Sequence, residues 1–487
     1  MNIYPAVTEI ERYIKEGFKC VPVMTEETYE NTEDEIYHIL RNVSSHVFIL
    51  DSAEKSERGR YTFFGYDPTL ELTCTSGNVR IKSGTVFTFE NADLPEHIRR
   101  LLRENKSPKI DGMPPFTGGL VGYFSFDYLS YSEPKLRLGA KDEEKFCDVD
   151  LMLFDKVIVL DNAQNKLLYI ANVYSDDLDE SYNKALHTLR AMKDLIHYGE
   201  AKKPQCGKLL EPLTPLFDET AFCDMVNKAK QRIYEGDIFQ VVLSNRLSAP
   251  YEGSLFPTYL RLRETNPSPY MFYFSSETAE IAGASPETLV EYSDGVVRTY
   301  PLAGTRPRGK TDDEDKALES ELLSDEKELA EHNMLVDLGR NDLGRVSEFG
   351  SVKVDRYMEI ERYSHVMHIG SAVSGHLKND CDALDAISSV LPAGTLSGAP
   401  KIKACQIINE LENNKRGIYG GAIGYLAFTG EMDTCIAIRL AFKKNGKVFV
   451  RSGAGIVADS VPINEYKECI NKAKAVTEAL EQTSIKM

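Results

Sequence analysis

Between about 17 and 160, hydrophobic and polar positions alternate in short runs separated by turn-forming residues: SHVFIL, RYTFFGY, LELTCTS, VRIKSGTVFTF and LMLFDKVIVLD. β-branched and aromatic side chains in that pattern predict a largely antiparallel sheet. PFTGGLVGYFSFDYL lies inside this region as a glycine-rich crossing. The pattern becomes helical in DDLDESYNKALHTLRAMKDLIHYG, and the polar, proline-bearing KKPQCGKLLEPLTP, 202–215, reads as a linker. Beyond it, helices are predicted over AFCDMVNKAKQRIYEG, DEDKALESELLSDEKELAEHNMLVDLG and DALDAISSVL. Strands are predicted over IFQVVLSNRL, YMFYFSS, GGAIGYLAF, TCIAIRLAFKK and KVFVRSGAG. A last helix starts near 461, with Ser460 as its cap and Pro462 in its first turn.

A chain of 487 residues exceeds what one core usually supports, so two lobes or one large duplicated architecture is expected. With 42% hydrophobic and 27% charged residues it reads as an ordinary soluble protein. The N-terminal stretch is charged throughout and no run reaches membrane-spanning length, so the expected location is the cytoplasm, with no membrane partner. Nine cysteines stand singly with no C-x-x-C pair, which favours free thiols in a reducing compartment. A net charge of -18 argues against a nucleic-acid partner. It leaves room for an anionic small molecule where arginines and backbone N–H groups converge.

GTRPRGKT, 304–311, fits the phosphate-loop pattern G-x-x-x-x-G-K-[ST]. Pro307 removes one of the backbone donors such a loop needs, Arg306 and Arg308 add bulk, and the following DDED would set carboxylates against phosphate. The nucleotide reading is therefore disfavoured. GAGIVA, 453–458, matches a dinucleotide fingerprint but lacks the acidic end of a second strand about twenty positions on, where a helix is predicted instead.

Two predicted helices carry glutamates three apart, Glu328 with Glu331 and Glu465 with Glu468. That spacing puts each pair on one helix face, fit to offer oxygen ligands to a cation or simply to face water. His368 lies in an apolar run with His365 three residues before it, either a core histidine or a weak metal pair. Glu287, in GASPETLVE, is a carboxyl among small residues, suited to proton donation or to a helix cap.

FQVVLSNR, NPSPYMFY, GASPE, LAGTRPRG, ELAEHNMLVDLGRNDLGRV, VMHIGSAVSG, GTLSGAPK, GIYGGAIGYL, TCIAIR and RSGAGIVADSVP, in this order, resemble the chorismate-utilising enzymes. Among the branches of that family they are most similar to anthranilate synthase component I. The resemblance implies an α+β fold, a β-sandwich of two large, mainly antiparallel sheets flanked by helices. It implies a regulatory N-terminal region over 17–160 and a chorismate-binding domain over 217–475. Carried onto matching positions, it makes Glu331 and Glu468 ligands of Mg2+, with Glu328 and Glu465 completing an acidic ring. Gly453, Ala454, Gly455, Tyr419 and Arg439 would hold carboxylates of chorismate, and Gly304 and Thr305 would line it. Glu287 is implied as general acid, His368 as base or orienting group, and Thr395 as a further contact.

Gln240 stands where water-using relatives carry a lysine, and Ala303 where aminodeoxychorismate synthase has its distinctive lysine, so the implied nucleophile is ammonia. The resemblance further implies a glutamine amidotransferase partner subunit in a heterotetramer of two large and two small chains. It also implies feedback inhibition by L-tryptophan at Asp51, Ser52, Pro269, Tyr270 and Met271, with Asp51 in place of the usual glutamate. The competing readings are aminodeoxychorismate synthase component I, a nucleotide-binding regulator built on GTRPRGKT, and a catalytically silent binding module of the same fold.

Overall fold

The alternating runs assemble into two mainly antiparallel sheets, of 13 and 12 strands. The structure, a computed structural model, describes residues 2–29, 32–53, 58–90, 93–136, 138–203, 206–362 and 366–484. His365 lies outside the described residues.

Strands from 17–160 and from 217–475 share both sheets. In the larger sheet Val47–Asp51 pairs with Tyr270–Ser275, with Leu50 opposite Phe272. In the smaller one Gly119–Phe124 pairs with Ala422–Ala427, with Gly122 opposite Gly424. Both glycines have positive φ, and an added Cβ would fall 2.0 Å from the Asp150 carbonyl oxygen and 2.1 Å from that of Asp433. No other residue fits this glycine-rich join.

The faces of the two sheets that meet are filled by Phe48, Phe63, Phe154, Phe272, Tyr425 and Phe442, among others. Each such ring contributes roughly 1.5–3 kcal/mol by leaving water. Helices Glu33–Val43, Leu178–Tyr198, Phe256–Thr265 and Pro462–Thr483 cover the outer face of the larger sheet. Helices Leu94–Glu104, Glu326–Val346 and Ala383–Val390 cover that of the smaller. This is the α+β sandwich that the resemblance implied.

Several local expectations change. TCIAIRLAFKK, read as one strand, is broken between Met432–Ile436 and Leu440–Lys444, which belong to different sheets. The stretch read as a linker contributes Lys208–Leu209 and Thr214–Pro215, which pair with strand Gln240–Glu252. The long acidic helix is two, Asp312–Leu322 and Glu326–Val346. Between them Asp325 caps the second helix by accepting from the N–H groups of Lys327 and Glu328, so a carboxylate that reads as helix interior is a start signal. The last helix is capped at Val461, and the Ser460 hydroxyl instead accepts from the Val457 N–H at 3.1 Å. Helix Lys401–Glu412, which follows Pro400, has no counterpart in the sequence reading.

Candidate active site

The chain passes from the larger sheet to the smaller between Ala279–Ser285 and Thr288–Ser293, and passes back between Met432–Ile436 and Leu440–Lys444. Glu287 lies in the first crossing and Arg439 in the second. The crossings hold each other, since the Ile436 N–H donates to the Glu287 carbonyl at 3.0 Å and the Ala284 N–H to that of Arg439 at 3.1 Å. Arg439 has φ 53°, a strained conformation for a long side chain and one that clusters at functional sites. The sandwich topology thus sets an acid and a cation side by side.

Both line a cavity of about 430 Å³. Strands Leu302–Pro307 and Val366–His376 of the smaller sheet bring Ala303, Gly304, Thr305 and His368 to it. Strands Gln240–Glu252 and Lys447–Ile456 of the larger sheet bring Gln240, Gly453 and Gly455. Ala454, between the two glycines, is fully buried with its methyl in a separate apolar cluster. The turn Gly394–Leu396 adds Thr395, and Tyr419 closes one wall. An added Cβ at Gly453 would lie 3.0 Å from the Tyr419 hydroxyl, and one at Gly455 would lie 2.8 Å from Gln240 Nε2. The glycines therefore leave backbone exposed to whatever those polar groups face. Segment 453–458 begins in mid-strand rather than in a strand-to-helix turn, which removes the dinucleotide pattern.

Burial pushes the Glu287 carboxyl up to about 8, against a lowering by the Thr395 hydroxyl, which donates to Glu287 Oε1 at 3.2 Å, and by Lys472 and Arg439. A group of that kind is protonated at neutral pH. His368 Nδ1 lies 2.9 Å from the Gly304 carbonyl oxygen and 3.0 Å from Thr305 Oγ1. A carbonyl only accepts, so Nδ1 carries the hydrogen and Nε2 the lone pair. Burial is the largest cause lowering the His368 pKa, with Arg439 adding to it, so the ring is neutral. Burial also lowers that of Arg439, and among the described residues its guanidinium has no hydrogen-bond or ion-pair partner. The charges that act on it are those of Tyr419 and Glu287, neither of them in hydrogen-bond or ion-pair contact with it.

The four glutamates all reach this cavity, Glu328 and Glu331 from helix Glu326–Val346 and Glu465 and Glu468 from helix Pro462–Thr483. Burial is the first cause raising the carboxyls of Glu328 and Glu465, and each is raised further by its helix partner, Glu331 or Glu468. Such mutual repulsion suits a shared cation. Among the described residues no three His, Cys, Asp or Glu side chains lie close enough to enclose a metal ion. Glu468 instead pairs with Lys472 at 2.7 Å. The donor chemistry fits a hard divalent ion, and the helices hold the carboxylates around the cavity rather than in one closed cage.

Three cations of the site were missed in the sequence: Lys327, Lys472 and Arg451. Lys472 stands one turn beyond Glu468, a spacing that marks it in retrospect. Arg451 is two residues before Gly453, on the same face of its strand.

The loop GTRPRGKT has its own anions. Asp315 accepts from the Gly309 N–H at 2.8 Å and Glu314 from the Lys310 N–H at 2.8 Å, so the amides that would cradle phosphate hold carboxylates of the next helix. A separate hollow of about 70 Å³ is lined by Asp51, Ser52, Pro269, Tyr270 and Met271 with Tyr61, Phe63, Tyr425 and Asp433. The Asp51 carboxylate is buried and engaged, receiving Thr62 Oγ1 and Arg263 Nε, each at 2.8 Å.

A two-sheet sandwich with acid, imidazole, glutamates and an unpaired arginine on one cavity defines a class, and comparison names it. Residues 45–478 match the model of the chorismate binding enzymes. The chain belongs to this chorismate-utilising family, in its anthranilate synthase component I branch. It is 42% identical to anthranilate synthase component 1 of Acetivibrio thermocellus, covering 98% of this chain and 99% of that protein. It is 42% identical to that of Aquifex aeolicus, covering 99% and 98%. The crystal structure of anthranilate synthase component I from Streptococcus pneumoniae superposes with TM-score 0.77 at 38% identity, over 87% of this chain and 93% of the other. The menaquinone-specific isochorismate synthase of Escherichia coli shares the fold, with TM-score 0.71 at 19% identity over 98% and 99% of the two chains. No helix among the described residues is long and apolar enough to cross a membrane.

Proposed function

We propose that the chain converts chorismate and ammonia to anthranilate, pyruvate and water, as the large subunit of an anthranilate synthase in the cytoplasm. The observation that carries this reading is the pairing, on one cavity, of a carboxyl neutral at pH 7, Glu287, with an arginine lacking a partner, Arg439. Chorismate is a dicarboxylate whose hydroxyl must leave, and these are the groups it requires.

Arg439, Tyr419 and the backbone of Gly453, Ala454 and Gly455 hold carboxylate, with Gly304 and Thr305 along the ring. Ammonia forms a C–N bond at the ring carbon beside the carboxylate while the ring double bonds shift. Glu287 gives its proton to the departing hydroxyl, which leaves as water. The His368 lone pair at Nε2 then takes the proton from the carbon that received nitrogen. The enolpyruvyl oxygen leaves with the bond electrons and, protonated at its methylene, becomes pyruvate as the ring turns aromatic. Mg2+ held by Glu331 and Glu468, with Glu328 and Glu465 outside them, would supply positive charge at the ring carboxylate. Gln240, an amide, cannot activate water, which keeps the site selective for ammonia.

The purified chain with chorismate, ammonium and magnesium is expected to release fluorescent anthranilate and pyruvate in equal amounts. EDTA is expected to stop it. Glu468→Ala should lose turnover with unchanged thermal unfolding, and full activity in that variant or in EDTA removes the metal assignment. Glutamine should not replace ammonium with the chain alone, because no thiol elbow with a partner histidine is present in the sequence. A glutamine amidotransferase subunit, in a heterotetramer of two large and two small chains, would deliver ammonia. Glutamine-driven turnover by the isolated chain contradicts this.

The second hollow is read as a site for L-tryptophan, which would lower activity by favouring a less competent state. The chain has no tryptophan, so a bound ligand is the only indole fluorophore present. Ser52→Arg should abolish both the fluorescence change and the inhibition. A Ser52→Arg chain that stays inhibited moves the site elsewhere.

A further inference from the structure

The residue that floors the regulatory hollow also touches the crossing that carries the acid. Tyr270 is the first residue of strand Tyr270–Ser275, opposite Ser285. Its hydroxyl donates to Asp433 Oδ1 at 2.8 Å and lies 3.0 Å from Thr288 Oγ1. A phenol has one hydrogen, so with Asp433 accepting it, Thr288 donates to the Tyr270 oxygen. Tyr270 belongs to the larger sheet and Thr288 to the smaller, so this bond spans the sandwich at the point where the chain changes sheet.

Thr288 directly follows Glu287, and its ladder with Cys435 breaks register immediately afterwards, between Thr288 and Val290. The broken ladder leaves this end of the strand with fewer restraints than its interior, and irregularities of this kind re-aim side chains. The other ties here are Ile436 N–H to the Glu287 carbonyl at 3.0 Å, the Ser285 hydroxyl to the Ile436 carbonyl at 2.7 Å, the Glu287 N–H to Ser285 Oγ at 3.4 Å, and the Thr395 hydroxyl to the Glu287 carboxyl at 3.2 Å. Asp433, the other partner of Tyr270, stands on the same strand as Ile436. Both strands that fix the Glu287 backbone are therefore gripped, one through Thr288 and one through Asp433, by one phenol of the hollow, that of Tyr270.

We propose that Tyr270, acting through Thr288 and Asp433, is a positioning residue for Glu287, and that an indole ligand inhibits by drawing the phenol out of this arrangement. The inference rests on the regulatory reading above and names the device by which that site reaches the reaction. The ligand needs only differential affinity for the two placements of Tyr270. A shift of Glu287 away from the leaving hydroxyl then suffices, since misplacement by about 1 Å can cost on the order of a hundredfold in rate.

Thr288 is the place to test it, because it does not line the hollow and its hydroxyl is the link. Tryptophan binding is followed by indole fluorescence and inhibition by anthranilate release, on the unaltered chain, Thr288→Val and Thr288→Ser. Thr288→Val is expected to bind tryptophan within about twofold of the unaltered chain while the concentration for half inhibition rises at least about fivefold, the low end of usual coupling. Thr288→Ser, which keeps the hydroxyl, should restore inhibition, a rescue that a role in packing alone would not give. Full inhibition of Thr288→Val, or loss of binding and inhibition together in it, overturns the link while leaving the regulatory reading in place. Absence of tryptophan binding by the unaltered chain overturns the regulatory reading itself, and the link with it.

Discussion

Glu287→Gln is expected to lower kcat by roughly 10²–10⁴, the usual worth of a placed proton donor, with little change in folding stability. The amide keeps the size of the carboxyl and a hydrogen bond to Thr395, which lies 3.2 Å from it, but has no acidic proton for the leaving hydroxyl. The pH dependence gives the sharper reading. A carboxyl held at about 8 is protonated, and competent as an acid, below that value. Activity should therefore be retained from neutral pH up to about 8 and fall as pH rises through it, and the residual activity of the variant should lack that descending limb. A variant with full turnover, or a parent whose alkaline limb survives the substitution, assigns the acid elsewhere.

Ala303→Lys is the second large effect expected. Ala303 pairs with Ile369 in the smaller sheet, and the register shifts between it and Thr305, so its methyl faces a cavity it shares with Glu328, Glu331 and His368. A lysine there brings a flexible ammonium to the Glu328 carboxyl, which burial first and then the neighbouring Glu331 raise, and with which it would pair. The space through which ammonia must approach the ring would also be filled by a competing amine. Anthranilate formation should drop by about a hundredfold or more, and mass spectrometry of the treated chain should find a covalent chorismate-derived adduct. Undiminished anthranilate release shows that the methyl does not border the path of the nucleophile. Lys310→Ala is the control, because Lys310 lies in a loop whose amides hold Asp315 and Glu314. It should be nearly silent.

The two glutamate pairs, Glu287 and His368 were legible as residues, because spacing on a helix and a carboxyl among small neighbours are local facts. Their meeting was not legible. It depends on which strand lies beside which, and Leu302–Pro307 reaches His368 only by pairing with a strand about 60 residues further on. Period alone names strands without naming partners. The stretch 202–215 failed for a related reason, as two-residue edge strands are too short to carry a pattern. Helix Lys401–Glu412 was missed because Ile402, Ala404, Cys405, Ile407, Ile408 and Leu411 sit behind a proline in a run that reads as loop. Asp325 looked like one more acid in an acidic helix, and only its acceptance of two N–H groups separates the helices. The resemblance supplied the arrangement that these local signals could not.

The shared sheets bear on how the chain is made. Gly119–Phe124 leaves the ribosome with Val149–Phe154 soon behind it, but its other neighbour, Ala422–Ala427, follows about 300 residues later. At ordinary elongation rates of 5–20 residues per second that is a wait of roughly 15–60 s. Throughout it one edge of a glycine-rich apolar strand stays open, the kind of edge that recruits strangers. The N-terminal segment made without the rest is then a candidate for aggregation or chaperone capture rather than an independent domain, and yield in the cell should respond to translation speed and chaperone supply.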